Sequence, residues 1–141
     1  MKSIVALFAA IVLMTACQNQ AQEKSAANTT TTDPNDQTTI QWLDSTRNMG
    51  TIAEGQKLEV SFRFKNTGNK PLVIKDVKPS CGCTAAEPPK EPIGPGEEGV
   101  IKGIFDSHGK VGHNLKTLNV QSNTAKQWDI VSFEVEVQKK N

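Results

Sequence analysis

From Leu58 to Lys65 the side chains alternate without a break: Leu58, Val60, Phe62 and Phe64 are apolar, while Glu59, Ser61, Arg63 and Lys65 are polar or charged. A period of two is the signature of a strand with one buried and one wet face, and it excludes an amphipathic helix. The same period returns near the C-terminus, where Val131, Phe133, Val135 and Val137 alternate with Ser132, Glu134 and Glu136. Further strands are expected over Leu72 to Lys78, Val100 to Asp106 and Leu115 to Gln121, with shorter ones at Ile40 to Leu43 and Met49 to Ile52. Turn formers separate them: Asn66 to Lys70 before Pro71, then Ile93-Gly94-Pro95-Gly96, then Ser107-His108-Gly109. Asn66-Thr67-Gly68 is expected to close a hairpin, with Gly or Asn taking a positive φ, and Pro95-Gly96 to make a tight turn.

About seven short strands, spaced by roughly ten residues and with no helical periodicity beyond residue 17, predict an all-β chain. The fold class expected is an immunoglobulin-like antiparallel β-sandwich of about seven strands over residues 40–138, with a C-terminal tail at 139–141. Cys81 and Cys83 stand too close in sequence to bridge two sheets. The core is therefore expected to rest on Phe62, Phe64, Phe105, Phe133 and the aliphatics around them, with Trp42 and Trp128 packed beside them.

Residues 1–16 do not belong to that sandwich. Lys2 precedes an apolar run from Ile4 to Met14, too short to span a bilayer but of signal-peptide length, and small residues Thr15 and Ala16 precede Cys17. This arrangement resembles the bacterial lipoprotein box, which implies cleavage after Ala16 and lipid on the Cys17 thiol, with several acyl chains holding the protein in the membrane. Gln18 to Thr39 contains no Val, Ile, Leu, Met or aromatic residue. Residues 17–39 are accordingly expected to form the lipidated cysteine and a disordered linker, whose 22 residues after Cys17 span about 25 Å as a flexible coil. The expected location is the bacterial cell envelope, on the outer membrane and facing the periplasm.

Loss of residues 1–16 removes Lys2 and no acid, so 16 basic residues become 15 against 15 acidic ones, a net charge of zero. A neutral chain with no basic cluster argues against nucleic-acid binding; Lys139 and Lys140 read as a solubilising tail. The chain contains no tyrosine, which weakens any carbohydrate-stacking face. No G-x-S-x-G, phosphate loop, H-E-x-x-H or dinucleotide glycine pattern occurs. No small-molecule substrate or cofactor is implied, and no enzyme activity is expected.

Chemistry is plausible at Ser80-Cys81-Gly82-Cys83-Thr84. In an extended strand the two cysteines lie about 6.6 Å apart at Cα, near the upper limit for a disulfide, and closer if Gly82 lets the chain turn. A local disulfide, buried thiols, redox exchange, an intermolecular disulfide and a soft-metal site all remain open. Paired thiolates select Cu(I) or Zn(II), but a closed zinc site wants four ligands, and the weak further candidates are His108 and His113.

Phe62 to Gly68, Pro71 to Ile74, Ser80 to Thr84, Ile93 to Gly96 and Gly109-Lys110, in this order, resemble the bacterial domain-of-unknown-function family DUF1573, with SCGCT its most specific mark. The resemblance covers about Gln41 to Val137. It implies a module similar to the Hydin and major-sperm-protein class of immunoglobulin-like domains, often exported or lipidated, and it implies no activity. The function expected is that of a non-catalytic, lipid-anchored module that binds or scaffolds an envelope protein through loops or an unpaired sheet edge. The alternative is a copper-handling or thiol-redox lipoprotein using Cys81 and Cys83.

Overall fold

The computed structural model describes residues 34–140. The signal segment, Cys17 and most of the linker lie outside the described residues. Eight strands follow a short 3-10 turn at Pro34–Asp36: β1 (Ile40–Trp42), β2 (Thr46–Ala53), β3 (Lys57–Asn66), β4 (Ile74–Pro79), β5 (Thr84–Glu87), β6 (Glu98–Asp106), β7 (Gly112–Ser122) and β8 (Trp128–Gln138). They form two four-stranded sheets, ordered β1-β3-β6-β5 and β2-β8-β7-β4. The all-β immunoglobulin-like sandwich is thus the architecture, with one pair outside the antiparallel pattern: β2 runs parallel to β8.

Alternation decides what each sheet buries. Val60, Phe62 and Phe64 of β3 face Ile101 and Phe105 of β6, and across the sandwich Leu118 and Val120 of β7 and the odd-numbered Val131 to Val137 of β8, all at most 2% exposed. Phe105 and Phe133 meet edge to face at 5.8 Å between the two sheets. Burying each phenylalanine contributes about 1.5–3 kcal/mol, so these aromatics carry the core without a bridging disulfide. Close approach also fixes Gly99: a Cβ there would lie 2.7 Å from Phe64 Cε2 and 3.1 Å from Ile93 Cδ1.

Asn66 departs from its expected role. β3 and β4 lie in different sheets, so Asn66-Thr67-Gly68 closes no hairpin, and neither Asn66 nor Gly68 has a positive φ. Asn66 is instead fully buried at the end of β3. Its Oδ1 accepts from Thr38 Oγ1 at 2.9 Å and from Gly68 N at 3.0 Å, while Nδ2 donates to Lys70 O at 2.7 Å and Ile93 O at 2.9 Å. Asn123 does the same work nearby, accepting from Val73 N at 2.8 Å and donating to Asp36 O at 2.8 Å and Pro71 O at 3.0 Å. These two amides fasten residues 36–38, which composition assigns to the linker, onto the sandwich; Thr38 is only 6% exposed. The chain around Leu72 also bends early, because Leu72 and Ile93 exchange both backbone hydrogen bonds, at 2.8 and 2.9 Å, before β4 begins. Gly96 takes the turn expected of it, with φ +80°.

Both lateral sides of the sandwich are closed by chain that changes sheet. Leu43 to Ser45 carries it from β1 to β2, and Ser80 to Cys83 carries it from β4 to β5.

Candidate functional site

SCGCT occupies that second crossing. Ser80 belongs to one sheet: its N donates to Thr117 O at 2.9 Å and its Oγ accepts from Thr117 N at 3.1 Å. Cys83 and Thr84 belong to the other, with Asp106 N donating to Cys83 O at 2.8 Å and Thr84 in register with Phe105. Between them a turn brings Thr84 N to Cys81 O at 3.3 Å, and Cys81 and Cys83 are joined as a disulfide with 5.3 Å between Cα atoms. Both cysteines are half-buried, Cys83 packing on the core, while Gly82 is exposed with nothing within 4 Å of where a Cβ would stand. A ring closed over one residue removes about 1.6 kcal/mol of chain entropy, against about 3 kcal/mol for a fifteen-residue loop. The backbone bonds on either side hold the corner independently of the sulfurs.

Thr84 sets the polarity of the corner. It is 5% exposed, and its Oγ1 lies 3.7 Å from Cys81 Sγ.

The histidines stand apart from each other. His108 is exposed in the turn after β6, where its N donates to Asp106 Oδ1 at 3.0 Å. His113 lies on the outer face of β7, with Nε2 3.5 Å from Glu134 Oε2. Among the described residues no group of three or more His, Cys, Asp or Glu is placed to hold a metal ion. Cys81 and Cys83 bond to each other, His108 follows the end of β6 and His113 lies on the outward face of β7, so the four metal candidates of the sequence are not gathered into such a group.

Trp128 also departs from expectation. It is 37% exposed rather than packed in the core, and Ile130 beside it on β8 is 63% exposed. Val131 to Val137 face inward at odd positions, so the even-numbered Trp128 and Ile130 must face solvent. Register places Trp128 opposite Gln121 and Ile130 opposite Asn119 on β7, with Lys78 of β4 beside Asn119. A shallow cup lined by Lys78, Asn119, Lys126, Trp128 and Ile130 results. Lys78 Nζ lies 5.4 Å from the Trp128 ring centroid, a cation–π distance. Lys78 and Lys126 each hold one carboxylate, Asp76 at 3.3 Å and Asp129 at 2.7 Å. An ammonium has three donors, so both keep capacity toward a ligand. Trp42, by contrast, packs against Phe64 at 5.4 Å, with its indole Nε1 buried and unpartnered.

The sheet edges are poor docking strips. β1 and β5 have three and four residues. β2 is interrupted by a bulge between Asn48 and Thr51, with Gly50 at φ +69°, and β4 by a shift between Ile74 and Asp76 before it ends at Pro79. Short, bulged and proline-stopped edges resist strand addition. One surface ion pair is well formed: Arg63 Nε donates to Asp44 Oδ2 at 2.7 Å, and this bond holds the Asp44 carboxyl below the usual aspartate range.

A family model described as a protein of unknown function, DUF1573, matches residues 40–137, all eight strands but for the last residue of β8. The chain belongs to the DUF1573 family. No curated protein matches this DUF1573 chain by sequence. Among solved structures it is similar to a protein of unknown function from Porphyromonas gingivalis W83, at 16% identity and TM-score 0.63, covering 72% of this chain and 48% of that one. It is also similar to PapD-like domain 7 of human CEP192, at 10% identity and TM-score 0.56, covering 75% and 89%. The VesB protease of Vibrio cholerae matches at 14% identity and TM-score 0.53, over 74% of this chain and 32% of the protease. The DUF1573 chain thus spans about half of the first protein and a third of the protease, and at these identities the likeness is one of fold. The domain is an immunoglobulin-like β-sandwich in a family of unknown function, a form that fits a binding or scaffolding module.

Proposed function

We propose that the protein is a non-catalytic, lipid-anchored module of the bacterial cell envelope that binds a protein partner on the outer face of the β2-β8-β7-β4 sheet. The observation carrying this reading is the exposed Trp128 and Ile130 beside two lysines with unused donors. Tryptophan in a shallow, charge-rimmed cup is the composition of an interaction anchor. The partner chemistry that fits is a protein segment presenting an apolar side chain next to a carboxylate: the apolar group covers Trp128 and Ile130, and the carboxylate meets Lys78 and Lys126. The blunted edges favour this face over strand addition. Cys17, by its resemblance to a lipoprotein box, would supply the membrane attachment.

A photo-crosslinking residue placed at Asn119 in the full chain, in cells, tests the reading. The expected result is a discrete protein adduct whose linked peptide is apolar and carries Asp or Glu, lost in Trp128→Ala and in Lys78→Glu, with no equivalent from Glu59 on the opposite sheet. Equal labelling from both positions, no adduct, or adducts only between copies of this chain would overturn it. Anchoring is read separately, by fractionation of Cys17→Ser, which should leave the membrane.

A further inference from the structure

We infer that the Cys81–Cys83 disulfide is an exchange site for protein dithiols, opened and closed within the folded domain, with Thr84 positioning the leaving sulfur. Three observations converge. The ring closes over the single exposed residue Gly82 and both cysteines are partly exposed, so the disulfide lies at the surface within reach of an incoming thiolate. The flanking backbone is tied to β7 through Ser80 and to β6 through Cys83, so opening the bond leaves both sheets paired. The buried Thr84 hydroxyl stands 3.7 Å from Cys81 Sγ. A disulfide sulfur is a poor acceptor for that hydroxyl, whereas a thiolate is a strong one, so the arrangement suits the reduced form of Cys81 better than the oxidised form.

The step follows from that asymmetry. A thiolate of the partner dithiol attacks Cys83 Sγ, a new sulfur–sulfur bond forms there, and the Cys81–Cys83 bond breaks. Its electron pair goes to Cys81 Sγ, where Thr84 Oγ1 donates a hydrogen bond. The partner's second thiolate then attacks its own sulfur in the mixed disulfide and releases Cys83. The partner leaves oxidised to a disulfide, and its two protons end on Cys81 and Cys83. Each domain takes up two electrons once, which makes this a stoichiometric device rather than a turnover reaction. The strands that meet at the corner carry charges of both signs, Lys78, Glu87, Asp106 and Lys116 among them, and the polar group lying against Cys81 Sγ is the Thr84 hydroxyl.

The test uses the full chain carrying Cys17→Ser, which removes both the lipid and the third thiol, purified unreduced, with dithiothreitol as the dithiol. Thiols are counted by alkylation and intact mass, and the fold is followed by near-ultraviolet circular dichroism. The expected result is complete two-thiol labelling without denaturant, an unchanged tryptophan signal, and return to the disulfide on oxidation. Labelling that needs denaturant, or that comes with loss of the folded signal, would overturn the proposal and leave a structural staple. In the reduced protein, Thr84→Val should shift the pH profile of Cys81 alkylation upward and slow opening by dithiothreitol about tenfold, with Thr84→Ser restoring both. Unchanged profiles in Thr84→Val would remove Thr84 from the mechanism.

Discussion

Replacing Asn66 by alanine tests how the end of this sandwich is closed. The side chain is fully buried and makes four hydrogen bonds, to Thr38, Gly68, Lys70 and Ile93. Of the four partners, Ile93 O keeps a second donor, Leu72 N at 2.8 Å. The Gly68 N–H, the Lys70 carbonyl and the Thr38 hydroxyl lose the bond they make to the amide. The Thr38 bond is buried and its loss costs about 1–2 kcal/mol, while the Gly68 and Lys70 bonds are part-buried and cost about 0.5–1 kcal/mol each, so the substitution costs about 2–4 kcal/mol. For a domain of this size that lowers the melting temperature by about 10–20 °C. Urea denaturation followed by tryptophan fluorescence measures it. Asn66→Asp keeps the shape but removes both donors and buries a charge, so it should cost at least as much. Asn119→Ala, which gives up only a 3.4 Å bond to Lys78 O, should cost less than about 0.5 kcal/mol. A loss below about 1 kcal/mol in Asn66→Ala would show that the loops hold themselves and refute the reasoning.

Gly99→Ala forces a methyl into the Phe64 ring and Ile93; calorimetry should show a loss of about 1–3 kcal/mol, and an unchanged melt would mean that the β3-β6 packing yields freely. Asp44 is held below its ordinary range by Arg63, so its stabilising effect is present above the unfolded value of about 3.9 and is lost as pH falls through the lower folded value. Urea midpoints should therefore show the wild type losing its advantage over Asp44→Asn as pH drops below about 4; a difference that does not vary with pH would count against the ion pair. Replacing both Cys81 and Cys83 by serine should cost about 1.6 kcal/mol in urea, far less than an ordinary structural disulfide, and a loss above about 3 kcal/mol would make the corner a true staple.

The strands were legible wherever alternation ran long enough to fix a phase. β3, β6 and β8 are each nine residues or more and carry phenylalanine on the inward phase. β5 was not legible, because Thr84-Ala85-Ala86-Glu87 has only Thr84 and Ala86 facing inward and neither is a strong apolar signal. The two misplaced residues share one cause. Asn66 continues the even phase of Val60, Phe62 and Phe64 into the core, and Trp128 falls on the outward phase set by Val131 to Val137. Residue chemistry argued the opposite in both places, and geometry prevailed. The corner at Cys81 was legible as a motif, but its sheet-crossing position and the nearness of Thr84 depend on long-range pairing with Thr117 and Asp106, which no local pattern encodes. The Trp128 cup likewise draws on β4, β7 and β8 together.

The parallel pairing of β2 with β8 has a mechanical meaning. These are the first long strand and the last strand of the domain, and because they run the same way, a force that has drawn residues 36–45 off Asn66, Asn123 and β3 and so reaches β2 pulls it along β8 in the opposite direction. Their hydrogen bonds then share the load and must fail together, whereas an antiparallel pair in the same place would open one bond at a time from its end. Under the proposed attachment through Cys17, load entering from the N-terminal side would meet this sheared pair after the Asn66 and Asn123 ties and β1 had let go.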